Sequence, residues 1–393
     1  MKTVGIISEY NPFHNGHKYQ TDILREMGAE RIVAVMGGTF SQRGSAHIID
    51  KYSRAEIAVA SGSCDCVLEL PYPYSCTAAE YFARAGVYIA SQFCDSLAFG
   101  CEEDDPGILK DIAELSVDPV FRTELAFIQR TNAGTSMPRL AYEAFKNKLS
   151  KKHADATVKP NNLLAIEYLK AIIASDSSLE PVFIKRKAVD HDSDTSVEGF
   201  SSASNIRKLI LNGGKWSDLV PKACFDIING SFGRNCPIAT ENAERAVLCR
   251  LRELSAADAD GFAECSGGLG RRIIKCAKEA GSLNELYSSL ATKRYTNARI
   301  RRAVISCLTG VTESDLKKDP SFTFLLAANK KGLEVIRRAE FTLYSLPSAI
   351  RGEPDHRAAE IYLCAERLAL LCYPETKPES FVFSRKPAIF GKI

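Results

Sequence analysis

The chain has 393 residues, of which 45% are hydrophobic, 25% charged and 9% aromatic. That composition excludes disordered and collagen-like classes, and the length exceeds what one core usually organises, so two domains are expected. A formal net charge of +3 is too small to argue for a polyanion partner over the whole surface, so any basic binding face has to be local.

The opening Met1-Lys2-Thr3-Val4-Gly5-Ile6-Ile7 starts too abruptly for a signal peptide, and no later apolar run approaches bilayer length, so a cytoplasmic, membrane-free protein is expected. Over the first hundred residues, Thr3 to Ser8, Arg31 to Met36, Cys66 to Leu70 and Ser96 to Phe99 read as strands. The stretches Gly16 to Met27, Asp50 to Ser61 and Thr77 to Gln92 have helical spacing, and Thr77-Ala78-Ala79-Glu80 matches a capping box. This alternation predicts an α/β fold with a Rossmann-like, doubly wound parallel sheet. Residues 106–152 read as added helices, followed by a helix from Asn162 to Ala174, a strand from Pro181 to Lys185, and a helix from Ser201 to Leu211 closed by Asn212-Gly213-Gly214. Beyond Trp216 strand signals are sparse, apart from some strand character at Phe381-Val382-Phe383. The expected division is a nucleotide-binding domain over 1–215 and a mainly helical domain over 216–393. Thirteen cysteines are scattered without a CxxC pair, and Cys64 and Cys66 border an apolar run, so buried thiols in a reducing compartment are expected rather than disulfides or a metal site.

The first strand runs through Glu9-Tyr10-Asn11-Pro12-Phe13 into His14-Asn15-Gly16-His17, directly before a helix. A helix start offers unpaired N–H groups and a dipole that favours anions, so a triphosphate suits this junction. His14 and His17, three apart, supply donors for charge developing on phosphoryl oxygens and pyrophosphate. Gly213-Gly214-Lys215-Trp216 lacks the hydroxyl and preceding strand of a Walker loop. Arg43 in the loop after the second strand, with Lys51 and Arg54 on the next helix, offers cations at the carboxyl edge of the sheet, where open α/β folds bind ligands. Gly100, and Lys185 with Arg186, reach the same edge; Asn161 and Asn162 open one helix, and Ser201 to Arg207 begin another with hydroxyls and free amides that suit an anion, with ordinary turns and caps as the plainer alternative. In the helical half, residues 271–302 hold nine Lys or Arg against two acids, with Tyr295 among them, a pattern that suits RNA phosphates and base stacking.

Together, Glu9 through His17, Gln42-Arg43-Gly44, Lys51 through Arg54-Ala55-Glu56, Glu69-Leu70-Pro71, Ala79-Glu80-Tyr81-Phe82-Ala83, Lys293-Arg294-Tyr295-Thr296 and Ala298-Arg299-Ile300-Arg301-Arg302 make the chain resemble the tRNA(Met) cytidine acetate ligase family, within the HxGH nucleotidylyltransferases. The resemblance covers most of the chain. It implies that ATP, expected with Mg2+, and acetate give acetyl-adenylate, whose acetyl group passes to N4 of the wobble cytidine of elongator tRNA(Met). It places ATP on Ile7, Ser8, Glu9, Tyr10, Asn11, Pro12, Phe13, His14, Asn15, Gly16, His17, Lys18, Tyr19 and Gln20, with Gly100, one of Asn161 and Asn162, and Arg186. Arg43 and Lys51 are expected at the substrate, and Lys293, Arg294, Arg299, Arg301 and Arg302 on the tRNA. The rival readings are a small-molecule adenylyltransferase of the same fold, which leaves the basic helical half unexplained, and a non-catalytic RNA-binding protein, which His14 and His17 argue against.

Overall fold

The computed structural model describes residues 2–132, 137–185, 199–292 and 294–391. Strands β1 (Thr3–Ser8), β2 (Arg31–Gly37), β3 (Cys66–Leu70), β4 (Ser96–Cys101) and β5 (Glu180–Lys185) stand parallel in the order β5-β4-β1-β2-β3. Parallel neighbours need crossovers. Helices α1 (Asn15–Glu26), α2 (Lys51–Ala60) and α3 (Ala79–Ser91) supply the first three, and α4 (Pro106–Val117), α5 (Pro119–Thr131), α6 (Met137–Lys148), α7 (Lys151–Ala156) and α8 (Pro160–Ala174) separate β4 from β5. The elements expected in the first hundred residues are all present, with ends displaced by two residues at most.

Both faces of the sheet are covered, which is why its strands read as continuous apolar runs. In β2, Ile32, Ala34 and Met36 enter one core with α1, α2 and α9 (Ala203–Leu211), whereas Val33 and Val35 enter the other with α3, α4 and α8. Ser202 caps α9 by accepting from the Asn205 N–H at 3.1 Å, and Gly213 follows its end at φ +70°. The capping box expected at Thr77 does not form: the N-cap is Ala78, and the Thr77 hydroxyl donates instead to the Tyr74 carbonyl at 2.9 Å in the turn before the helix.

The second half is helical through α10 (Lys222–Ser231), α11 (Glu244–Glu253), α12 (Ala256–Gly261), α13 (Leu269–Glu279), α14 (Leu283–Leu290), α15 (Asn297–Thr309) and α16 (Glu313–Leu316). A further strand, β6 (Thr323–Ala328), then returns to the sheet and pairs antiparallel with β3. All six of its residues are buried. The sheet therefore crosses the boundary expected near residue 215, and the reading of sparse strands missed this one. Helix α17 (Lys330–Ile336), β7 (Leu343–Tyr344), α18 (His356–Leu371), α19 (Ser380–Ser384) and β8 (Ala388–Ile389) complete the chain. Phe381 to Phe383, expected extended, lies in α19, where the short turn packs the Phe381 ring 5.7 Å from that of Tyr373. A third core joins Val247, Leu251, Ile273, Leu286 and Ile300 of the helical half to Phe40 and Tyr72 of the first half. The Tyr72 hydroxyl meets the Thr309 hydroxyl at 2.7 Å across that contact.

Candidate functional site

At the end of β1 the chain turns through Tyr10, a non-glycine residue at φ 48°, an arrangement that persists only where the surroundings enforce it. They do so by burial. The Tyr10 ring is 1% exposed, its hydroxyl lies 3.6 Å from the Cys64 thiol, and burial pushes the phenol well above its usual range. Its ring stands edge-on to His17 at 4.9 Å, so the strained turn also walls one side of the second histidine.

The two histidines cap α1 reciprocally. His14 is the N-cap and its Nδ1 accepts from the Gly16 N–H at 3.0 Å, while His17 Nδ1 accepts from the His14 N–H at 3.2 Å. The rings stack at 3.8 Å with 27° between planes. A nitrogen that accepts carries no proton, so each neutral ring holds its proton on Nε2 and is a donor there. A Cβ on Gly16 would fall 2.9 Å from His14 Cε1. The glycine therefore makes room for the capping ring, a more local requirement than the ligand approach its position suggests.

A cavity of about 450 Å³ opens at this junction, across the carboxyl ends of β1, β4 and β5. Ile7, Ser8, Glu9, Tyr10, Asn11, His14, Gly16, His17, Tyr19, Gln20, Gly100, Asn161 and Arg43 all line it. Pro12, Phe13, Asn15 and Lys18 do not. Phe13 is wholly buried, the Asn15 amide donates to the carbonyls of Gly199 and Asp218 at 2.9 Å each, and Lys18 pairs with Asp22 at 2.7 Å. The two asparagines separate cleanly: Asn161 lines the cavity, with its amide donating to Glu102 at 2.5 Å, whereas Asn162 is 0% exposed and accepts from the Glu102 N–H at 2.8 Å, holding the end of β4. Arg186 and Lys293 lie outside the described residues.

Other lining residues carried weaker signals. Ser201 to Ser204 reach the cavity at the start of α9, and Arg207 follows one turn on, donating to the Asn11 carbonyl at 2.6 Å. Burial holds the Arg207 guanidinium below its ordinary value. In sequence this stretch is indistinguishable from a serine cap, and the structure shows it serving as both cap and wall. Gln42 lines the cavity beside Arg43, and Phe82 of α3, Phe99 of β4, Tyr168 of α8 and Phe200 ahead of α9 supply an aromatic lining that only tertiary packing assembles.

Lys51, expected at the substrate, is not among the residues lining this cavity: it is 5% exposed, and its ammonium donates to Glu69 at 2.8 Å, Glu366 at 2.9 Å and the Tyr362 hydroxyl at 2.6 Å. Desolvation acts against the charged form, yet the two carboxylates outweigh it and raise the ammonium above its usual value. Burial raises Glu69 to about 7. Arg54 is likewise internal: its guanidinium donates to the carbonyls of Ile49, Glu9, Gly37 and Gly38, tying together the ends of β1 and β2, and burial lowers it to about 10. Four of its five N–H donors go to carbonyls, and at 0% exposure the side chain is not part of the cavity wall.

In the basic segment, α13 buries Leu269, Ile273, Ile274 and Ala277 and exposes Arg271, Arg272, Lys275 and Lys278. Arg294 and Arg301 are exposed beside the rings of Tyr295 and Tyr287, at 5.5 Å each. Arg299 and Arg302 turn inward. Arg299 donates to the carbonyls of Glu264 and Ser266 at 3.1 and 2.9 Å, and Arg302 pairs with Glu264 at 2.7 Å. These hydrogen bonds tie α15 to residues 264 and 266 ahead of α13.

The geometry has close counterparts. A model of the HIGH Nucleotidyl Transferase family matches residues 1–380. The tRNA(Met) cytidine acetate ligase of Acetivibrio thermocellus is 33% identical over a 404-residue alignment covering 95% of each chain. That of Lysinibacillus sphaericus is 33% identical, covering 92% of this chain and 94% of the relative. The crystal structure of apo Thermotoga maritima TmcAL matches with TM-score 0.90 at 26% identity over 99% of both chains, and the same protein bound with alpha-thio ATP matches with TM-score 0.88 at 27%. With a nucleotide-sized cavity at the paired histidines and relatives that align along nearly its whole length, the chain belongs to the HIGH nucleotidyl transferase family and, within it, to the tRNA(Met) cytidine acetate ligases.

Proposed function

We propose that this protein is an ATP-dependent ligase that activates acetate as acetyl-adenylate and acetylates N4 of the wobble cytidine of elongator tRNA(Met) in the cytoplasm. The observation that carries the reading is the reciprocal cap of His14 and His17, which puts two Nε2–H donors at the start of α1 on the wall of a nucleotide-sized cavity. The relatives' names and the ATP-analogue complex of one relative support the substrates.

In the first step a carboxylate oxygen of acetate attacks the α-phosphorus of ATP, and the bond to the β,γ-pyrophosphate breaks. Charge grows on the phosphoryl oxygens and the leaving pyrophosphate, where His14, His17 and the Arg43 and Arg207 guanidiniums stabilise it. Asn161, held by Glu102, and Gly100 lie where the strand ends meet the nucleoside. In the second step the cytidine N4 attacks the acetyl carbonyl, the bond to AMP breaks and N4 loses a proton. The exposed cations of α13, with Arg294 and Arg301, hold the tRNA backbone. Magnesium in this scheme arrives with the triphosphate: among the described residues no group of three or more His, Cys, Asp or Glu is placed to hold an ion, and Glu9 is the single carboxylate on the cavity wall. Among the described residues no helix is long and apolar enough to cross a membrane.

The test is incubation with ATP, labelled acetate and bulk tRNA, followed by digestion of the RNA. Label in acetylcytidine is the expected result. RNA that stays unlabelled, with pyrophosphate released only when a small phosphorylated acceptor is present, would overturn this reading in favour of a small-molecule adenylyltransferase.

A further inference from the structure

Gln42 is hydrogen-bonded in two opposite directions. Its N–H donates to the Glu9 carboxylate on the cavity wall at 2.7 Å, and its carbonyl accepts from Arg302 Nη1 of α15 at 3.1 Å. The loop that carries it is closed on itself, with the Ser41 N–H donating to the Ser45 carbonyl at 2.9 Å and the Gly44 N–H to the Ser41 carbonyl at 2.8 Å. Such a loop moves as a unit, so its position depends on what grips it from outside.

That grip comes from α15. Gly44 sits at φ +75°, and a Cβ there would fall 2.5 Å from the Arg302 backbone nitrogen and 2.7 Å from Arg301 Cβ, so loop and helix touch without room for a side chain. Arg302 is itself anchored from behind by Glu264 at 2.7 Å, with both side chains 11% exposed. Glu264 lies at φ 66°, a backbone state that a non-glycine residue adopts only under constraint.

We propose that Arg302 is a positioning residue for the nucleotide site. Anchored on Glu264, it holds the Gln42 carbonyl and thereby sets Glu9 and Arg43 on the cavity wall, linking the RNA-binding half of the molecule to the triphosphate site. The proposal rests on the reading of the cavity as the ATP site. A hydrogen bond from a charged donor to a half-buried carbonyl contributes more than a neutral one, and its loss lets the loop and Arg43 drift together.

The test uses the full chain with Arg302→Ala and Arg302→Lys, assayed by acetate-dependent exchange of labelled pyrophosphate into ATP without RNA, and separately by tRNA binding. The Ala variant is expected to raise the ATP KM and lower kcat, together reducing kcat/KM roughly tenfold, with tRNA affinity little changed. The Lys variant, which reaches only one of the two partners, should fall between Ala and wild type. An unchanged ATP KM overturns the proposal, whether tRNA affinity falls, which would make Arg302 an RNA contact, or kcat alone falls with melting temperature, which would make it merely structural. If Arg302→Ala does not fold, Arg302→Lys decides by the same readouts. If wild type itself shows no acetate-dependent exchange, the ligase reading fails separately, and ATP affinity by calorimetry on the same proteins decides for Arg302: weaker binding in the variants supports it and equal binding overturns it.

Discussion

The reciprocal cap makes His17 separable into two jobs. Nδ1 accepts from the His14 N–H at 3.2 Å, and Nε2 carries the donor assigned to phosphate. His17→Asn places an amide oxygen where Nδ1 stands and removes the Nε2 donor. His17→Gln places an amide nitrogen near Nε2, and His17→Ala removes both. Loss of the cap costs about 1 kcal/mol of stability. Loss of one donor to a developing oxyanion lowers the rate roughly 10²–10³-fold. The Asn variant should therefore melt near wild type while losing acetate-dependent pyrophosphate exchange by about that factor. The Gln variant should recover part of the rate, and the Ala variant should lose both rate and melting temperature. An Asn variant that retains wild-type exchange, or one that melts as low as the Ala variant, would refute the assignment of roles to the two ring nitrogens.

Lys51→Met leaves Glu69 and Glu366 buried without their shared cation, which should cost about 3–5 kcal/mol at neutral pH. A melting temperature within a degree of wild type, with substrate affinity lost instead, would restore Lys51 to the substrate site. Glu69, raised from 4.5 to about 7, retains its proton in the folded state where the unfolded chain has lost it. Its contribution to stability is present below pH 4.5 and is lost as pH rises through about 7, so urea midpoints should fall between pH 4.5 and 7, and Glu69→Gln should flatten that slope. Changing Arg271, Lys275 and Lys278 to Ala should weaken tRNA binding and reduce its salt dependence by roughly 0.7–0.9 per lost phosphate contact. An unchanged slope would move the RNA face elsewhere. Asn161→Ala should raise the ATP KM, whereas Asn162→Ala should chiefly lower melting temperature, because Asn162 is wholly buried against the end of β4.

What the amino-acid order determined by itself is local. Apolar runs such as Arg31 to Met36 set strands covered on both faces, and helical spacing with caps set the crossovers, because those patterns repeat within a few residues and report burial directly. The histidine pair was legible for the same reason: its partners are the backbone groups of its own helix start. The tertiary structure decided whatever depends on distant partners. Lys51, Arg54, Arg299 and Arg302 look alike in sequence as surface cations, yet Lys51 finds Glu366 at a separation of 315 residues and Arg302 reaches Gln42 across 260. A long cation is read as solvated until a buried carboxylate or carbonyl claims it, and no local pattern announces that claim. The same holds for β6, whose burial requires the exposed edge of β3, a surface that exists only once the first half of the sheet has formed.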